Sequence, residues 1–104
     1  MENINEKEGK MNINEIKNKI IPILKRYQVK RAAFFGSIVR DDYNKDSDID
    51  ILVELPENAS LLELAGLKIE LEEMLNRKVD VLTYNSLHHL LKERILSEQE
   101  LVVL

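Results

Sequence analysis

From Asp48 to Leu55 the chain alternates with a period of two. Ile49, Ile51, Val53 and Leu55 face one way and Asp48, Asp50, Leu52 and Glu54 the other, the pattern of a β-strand with an apolar face. Pro56 stops it. Such a strand folds only with partner strands and with a layer that covers its apolar face. Val29 to Phe35, with the apolar run Ala32-Ala33-Phe34-Phe35, predicts a strand covered on both sides. Val79 to Thr83 predicts a third strand, and Leu101 to Leu104 an edge strand.

The covering layer is helical. Ile13, Ile16, Ile20, Ile23, Leu24 and Tyr27 recur in steps of three and four. Pro22 predicts either a kink there or a second helical piece with proline in its first turn. Ser60 and Glu63 form a capping box in front of a helix whose expected buried stripe is Leu64, Leu67, Leu71, Met74 and Leu75. Ser86 is the expected cap of a last helix carrying Leu87, Leu90, Leu91 and Ile95. Strands separated by helices predict an α/β (α+β) domain with a mixed sheet of about four strands and helices packed on it.

The length of 104 residues predicts one domain. It is expected over 12–104, with residues 1–11 as a flexible N-terminus that offers only Ile4 for burial. The chain has no cysteine, which excludes disulfides, thiolate catalysis and cysteine-based zinc sites. The net charge of −4 argues against nucleic acid as a direct partner. No apolar stretch approaches the roughly 20 residues that span a bilayer. The N-terminus has no signal-peptide core, so a cytoplasmic location without membrane partners is expected.

The reactive candidates lie between positions 36 and 80. Asp48 and Asp50 fall on one face of a strand, about 6.6–7 Å apart at ~3.3 Å per residue. Carboxylates so spaced can converge on one magnesium ion or bridge two, and magnesium prefers oxygen ligands. Gly36 at a strand end lets a phosphate approach the backbone. The helical turn after it offers free N–H groups to an anion, and the Ser37 hydroxyl adds another donor. Asp80, flanked by Val79 and Val81, joins the acid pair if the third strand neighbours the second; its natural role is to ligate the metal and help deprotonate an incoming hydroxyl. Asp46, Asp48 and Asp50 also resemble the opening of a calcium loop, but Ile51 stands where such a loop needs glycine. His88 and His89 point about 100° apart on a helix and do not suit one metal. Tyr43 falls in the loop between the two motifs, where it could meet a base or a partner.

Gly36-Ser37, ten intervening residues and Asp48-Ile49-Asp50 make up a G-S-x10-D-x-D pattern. It resembles the signature of the minimal nucleotidyltransferases, the MNT family of the DNA polymerase β superfamily. Phe34-Phe35-Gly36-Ser37, the segment Ser47 to Val53, and Arg77-Lys78-Val79-Asp80-Val81 are similar to that family's other motifs, so the resemblance runs from about Asn12 to the end. It implies a nucleotidyltransferase fold, Mg2+ at Asp48, Asp50 and Asp80, and ATP phosphates at Gly36 and Ser37. Arg40 matches an arginine common after the Gly-Ser turn and would assist the nucleotide. Ile38 and Asp41 depart from the family's usual polar residue and glycine, and Asn76 replaces a glycine. The resemblance further implies an antitoxin that transfers AMP from ATP to a tyrosine of a HEPN-family RNase toxin. With about 100 residues in the chain, the acceptor is expected to arrive as a folded partner. Neutralisation by docking alone, and transfer to a small molecule, are the rival readings.

Overall fold

The computed structural model describes residues 12–40, 47–87 and 89–104, with backbone alone at 40 and 89–91. The expectation for residues 1–11 lies outside them.

Helix α1, Ile13–Arg26, starts at Asn12, whose side chain accepts the Glu15 N–H at 2.9 Å while the Glu15 carboxylate accepts the Asn12 N–H at 3.3 Å. Pro22 neither splits α1 nor starts a new piece; it sits inside one helix. The ring lies on the exposed side, where the freed Asn18 carbonyl can meet water. Strand β1, Arg31–Phe35, is followed by a single helical turn α2, Ser37–Arg40, and strand β2, Ile49–Glu54. Helix α3, Leu61–Leu75, opens with the expected Ser60–Glu63 capping box and closes on Asn76 in the left-handed region at φ 54°. Strand β3, Val79–Thr83, leads through a 3-10 turn, Tyr84–Ser86, to helix α4, His89–Glu98, and strand β4, Glu100–Val102.

The strands form one mixed sheet in the order β3-β2-β1-β4. β1 runs antiparallel to β2 and β4, and β2 runs parallel to β3. Consecutive β2 and β3 are parallel because α3 supplies the crossover between them. Helix α1 packs on α3, and α3 on β3. Ile16, Ile20, Leu24, Leu67 and Leu71 meet Ala32, Phe34, Ile49, Ile51, Val53 and Val79 in the core. Truncating one of the larger of these, such as Leu71→Ala, costs about 2–5 kcal/mol.

The core explains two departures from expectation. Met74, placed in the buried stripe of α3, is 47% exposed, because Leu67, Leu71 and Leu75 already fill the line facing the sheet. Ser86 does not cap α4; its hydroxyl donates to the Thr83 carbonyl at 2.9 Å within the 3-10 turn, and the helix begins three residues later. The second face of the sheet is covered at its centre, where Ala33 and Leu52 are fully buried, while Leu82 and Leu101 in the same row on the outer strands are exposed. Among the described residues, no helix is long and apolar enough to cross a membrane.

Candidate active site

Strand pairing decides where the acids stand. Asp50 lies opposite Asp80 in the parallel register and opposite Phe35 in the antiparallel one. Asp48 precedes β2 by one residue and shares its face with Asp50. All three aspartates, with Phe35, Gly36, Ser37 and Ser47, line one open cavity of about 620 Å³. Its far wall is α4, through Arg94, Ile95 and Glu98. The apolar residues on the other side of the same strands, Ile49, Ile51 and Val79, are buried in the core. This anchoring fixes the height and direction of the carboxylates.

Gly36 takes φ +80°, a backbone conformation that other residues adopt only at a cost. A methyl group there would collide with the Asp50 carboxylate, standing 3.2 Å from its Cγ and nearer still to Oδ2. Glycine therefore makes the turn and leaves room for Asp50. The turn closes through the Val39 N–H, which donates to the Gly36 carbonyl at 3.0 Å. Ser37 is the first helical residue of α2 rather than a cap before it. With only four residues, α2 carries little macrodipole, so an anion here would be held by individual N–H groups and the Ser37 hydroxyl. Ile38 departs from the family pattern because it turns into the core, where it is 9% exposed.

Two further tethers hold the acids from behind. The Ile49 N–H donates to the Lys78 carbonyl at 3.0 Å, and Arg77 Nη1 to the Ser47 carbonyl at 3.4 Å. They tie the stretch before β3 to the entrance of β2, between which Asp48 and Asp80 are carried.

A magnesium ion takes oxygen donors and is usually held by one or two carboxylates, with phosphates and waters completing its shell. The three aspartates fit that donor set. Among the described residues no group of three or more His, Asp or Glu side chains forms a site able to hold a metal by itself.

Sequence reasoning missed Arg94 and Glu98. They sit one turn apart on α4, 3.8 Å from each other, and Arg94 brings a cation to a cavity lined by carboxylates. The Leu and Ile spacing of that helix does not point to them, and the signal the sequence offers is its charged i, i+4 pair. Tyr43, Asp41 and His88 lie outside the described residues, as do the side chains of Arg40 and His89. The calcium-loop reading fails, because Ile49–Glu54 is a central strand.

The mixed sheet, the strand-end Gly-Ser turn and aspartates on adjoining strands define a nucleotidyltransferase domain. The chain belongs to that family: residues 17–102 match the description "Nucleotidyltransferase domain". A Methanocaldococcus jannaschii protein named "Putative protein adenylyltransferase MJ0435" is 65% identical over 88 residues, which cover 85% of this chain and 95% of that one. A solved structure described as "Structure of putative minimal nucleotidyltransferase" superposes with a TM-score of 0.74 at 32% identity, over 84% of this chain and 89% of its own. The MNT–HEPN complex described as a tri-AMPylated Shewanella oneidensis HEPN toxin with MNT antitoxin gives a TM-score of 0.68 at 22% identity, over 86% and 71%. At that identity the likeness is one of fold.

Proposed function

We propose that this nucleotidyltransferase is a magnesium-dependent protein adenylyltransferase that moves AMP from ATP to a tyrosine of a HEPN-type toxin and so acts as its antitoxin. The observation that carries the reading is the row of aspartates from β2 and β3 on the wall of one cavity with the Gly36-Ser37 turn. The name of the M. jannaschii relative and the AMPylated toxin in the structural neighbour support the acceptor class.

Asp48 and Asp50, with Asp80 beside them, would hold magnesium, which supplies positive charge to the phosphates. The Gly36 turn and Ser37 would receive phosphate oxygens. Arg94, facing the acids across the cavity, would offset the negative charge that ATP adds. The acceptor hydroxyl oxygen attacks the α-phosphorus in line, an O–P bond forms, the bond to the bridging oxygen breaks and pyrophosphate leaves. Asp80 would accept the hydroxyl proton.

Purified protein, ATP labelled at the α-phosphate, magnesium and a co-encoded HEPN protein test the assignment. Label should pass to the HEPN protein and vanish in Asp48→Ala/Asp50→Ala. Transfer that survives both changes refutes the catalytic roles. A double variant that makes no transfer yet silences the toxin at equal occupancy establishes docking instead.

A further inference from the structure

Among the described residues β3 is an edge strand, with β2 on one side only. Because the Ile49 N–H bonds to the Lys78 carbonyl, the next residue, Val79, directs its own N–H and C=O to the open side. An edge of this kind normally leaves such groups to water or to another chain. Here α3 closes it. The Val79 N–H donates to Glu72 Oε2 at 2.9 Å. Lys68 Nζ donates to the Val79 carbonyl at 2.7 Å and to the same Glu72 oxygen at 3.1 Å. Three hydrogen bonds thus form a ring through one backbone residue, which immediately precedes Asp80.

We propose that Lys68 and Glu72 are positioning residues for Asp80, a charged clamp that takes the place of a missing neighbour strand. This role rests on the metal-binding assignment of Asp80 made above. An edge strand held on one side alone can shift along its partner or fray. Val79 is held by its buried side chain, and the clamp adds fixed backbone contacts on the free side. The peptide that carries Asp80 is then held from both edges, and the carboxylate stays level with Asp50. Neither Lys68 nor Glu72 lines the cavity that the aspartates share. Charge also matters: a carboxylate accepting from N–H and a lysine donating to C=O are stronger than neutral counterparts.

The test compares Asp80→Ala, Glu72→Ala, Glu72→Gln and Lys68→Met in the full chain. Mn2+ is titrated by electron paramagnetic resonance in the presence of a non-hydrolysable ATP analogue. Hydrogen exchange at the Val79 amide, the transfer rate and Tm are measured alongside. Glu72→Ala should weaken Mn2+ binding by about tenfold, in line with supporting residues around metal ligands. It should also speed exchange at Val79. Glu72→Gln keeps an oxygen that accepts the Val79 N–H and should recover most of the affinity. Lys68→Met should have the same sign and a smaller size. Ile20→Val, a distant core change, supplies a control for destabilisation alone and should leave Mn2+ affinity unchanged. If Glu72→Ala lowers Tm but leaves Mn2+ affinity intact, as Ile20→Val does, the clamp is structural and the proposal fails. If Asp80→Ala itself leaves Mn2+ binding and transfer unchanged, the assignment of Asp80 falls, and the clamp's role with it.

Discussion

The face of the sheet that carries the site has two ends, and they treat charge in opposite ways. At one end Asp80 stands beside Asp50, with Asp48 one step along and Phe35 across. In the middle Leu82, Leu52, Ala33 and Leu101 form an apolar row across all four strands. At the other end Glu54 pairs with Arg31, whose Nε lies 2.8 Å from Oε1 and whose guanidinium stacks on Tyr84 at 4.0 Å from the ring centre. A second cavity of about 380 Å³ opens there. The same sheet positions thus carry opposite charges in contact at one end and like charges side by side at the other. Opposite charges facing across strands stabilise a sheet, and like charges oppose it. A row of like charges gains no cross-strand attraction from its neighbours, which fits a site selected for something other than stability.

The sharpest way to break the comparison is to neutralise one acid. Asp50→Asn should cut nucleotidyl transfer roughly a thousandfold, because metal-borne charge is worth several kcal/mol and each 1.4 kcal/mol is about tenfold. Tm should hold or rise, since one of two facing like charges is gone. A variant that loses stability together with activity would make the acid row structural. Gly36→Ala comes next. It places a side chain at φ +80° and forces the Asp50 carboxylate aside. Misplacement by about 1 Å can cost on the order of 100-fold in rate. The left-handed backbone adds about 1–2 kcal/mol of destabilisation. Labelled transfer and a melting curve on the same sample read both.

How much of this was legible in the chain differs between the two ends. The acid end was legible because its parts are local: alternation around Asp48 and Asp50, a glycine at a strand end, and a third acid within an apolar strand. Only the pairing of β2 with β3 had to be supplied by the fold. The walls were not legible. Arg94 and Glu98 reach the cavity through the placement of α4, which no spacing within the helix encodes. The Lys68–Glu72 ring depends on β3 being an edge. At the far end, Arg31 and Tyr84 are more than fifty residues apart in sequence and meet only across the sheet. Met74 and Ser86 depart from expectation for a related reason. Periodicity and capping preference nominate candidates, but the shape of the core and the 3-10 turn choose among them.

Arg31→Ala sharpens the contrast from the other side. Arg31 and Glu54 are both substantially exposed, so solvent screens the pair. Its loss, with that of the stack on Tyr84, should cost about 1–2 kcal/mol at most in denaturant unfolding. Nucleotidyl transfer should be unchanged. A fall in transfer on Arg31→Ala would mean that the two ends communicate through the apolar row.

The smallest effect expected is one of pH. The Val79 N–H holds the Glu72 carboxyl below its ordinary range, helped by the hydrogen bond from Lys68, against an opposing desolvation, and to a lesser extent by the charges of Lys68 and Lys78. A carboxylate with a depressed folded pKa stabilises the fold fully above its unfolded pKa. That contribution is lost as pH falls through the folded value. Stability owed to Glu72 is therefore present at neutral pH and disappears in the acid range, at and below the ordinary glutamate titration. Glu72→Gln removes the titrating group but keeps an acceptor for Val79. The difference in unfolding midpoint between wild type and this variant should be largest near neutrality and should shrink as the solution is acidified. A difference that stays constant with pH would mean that Glu72 contributes through its shape and its hydrogen bond alone, with no charge advantage to lose.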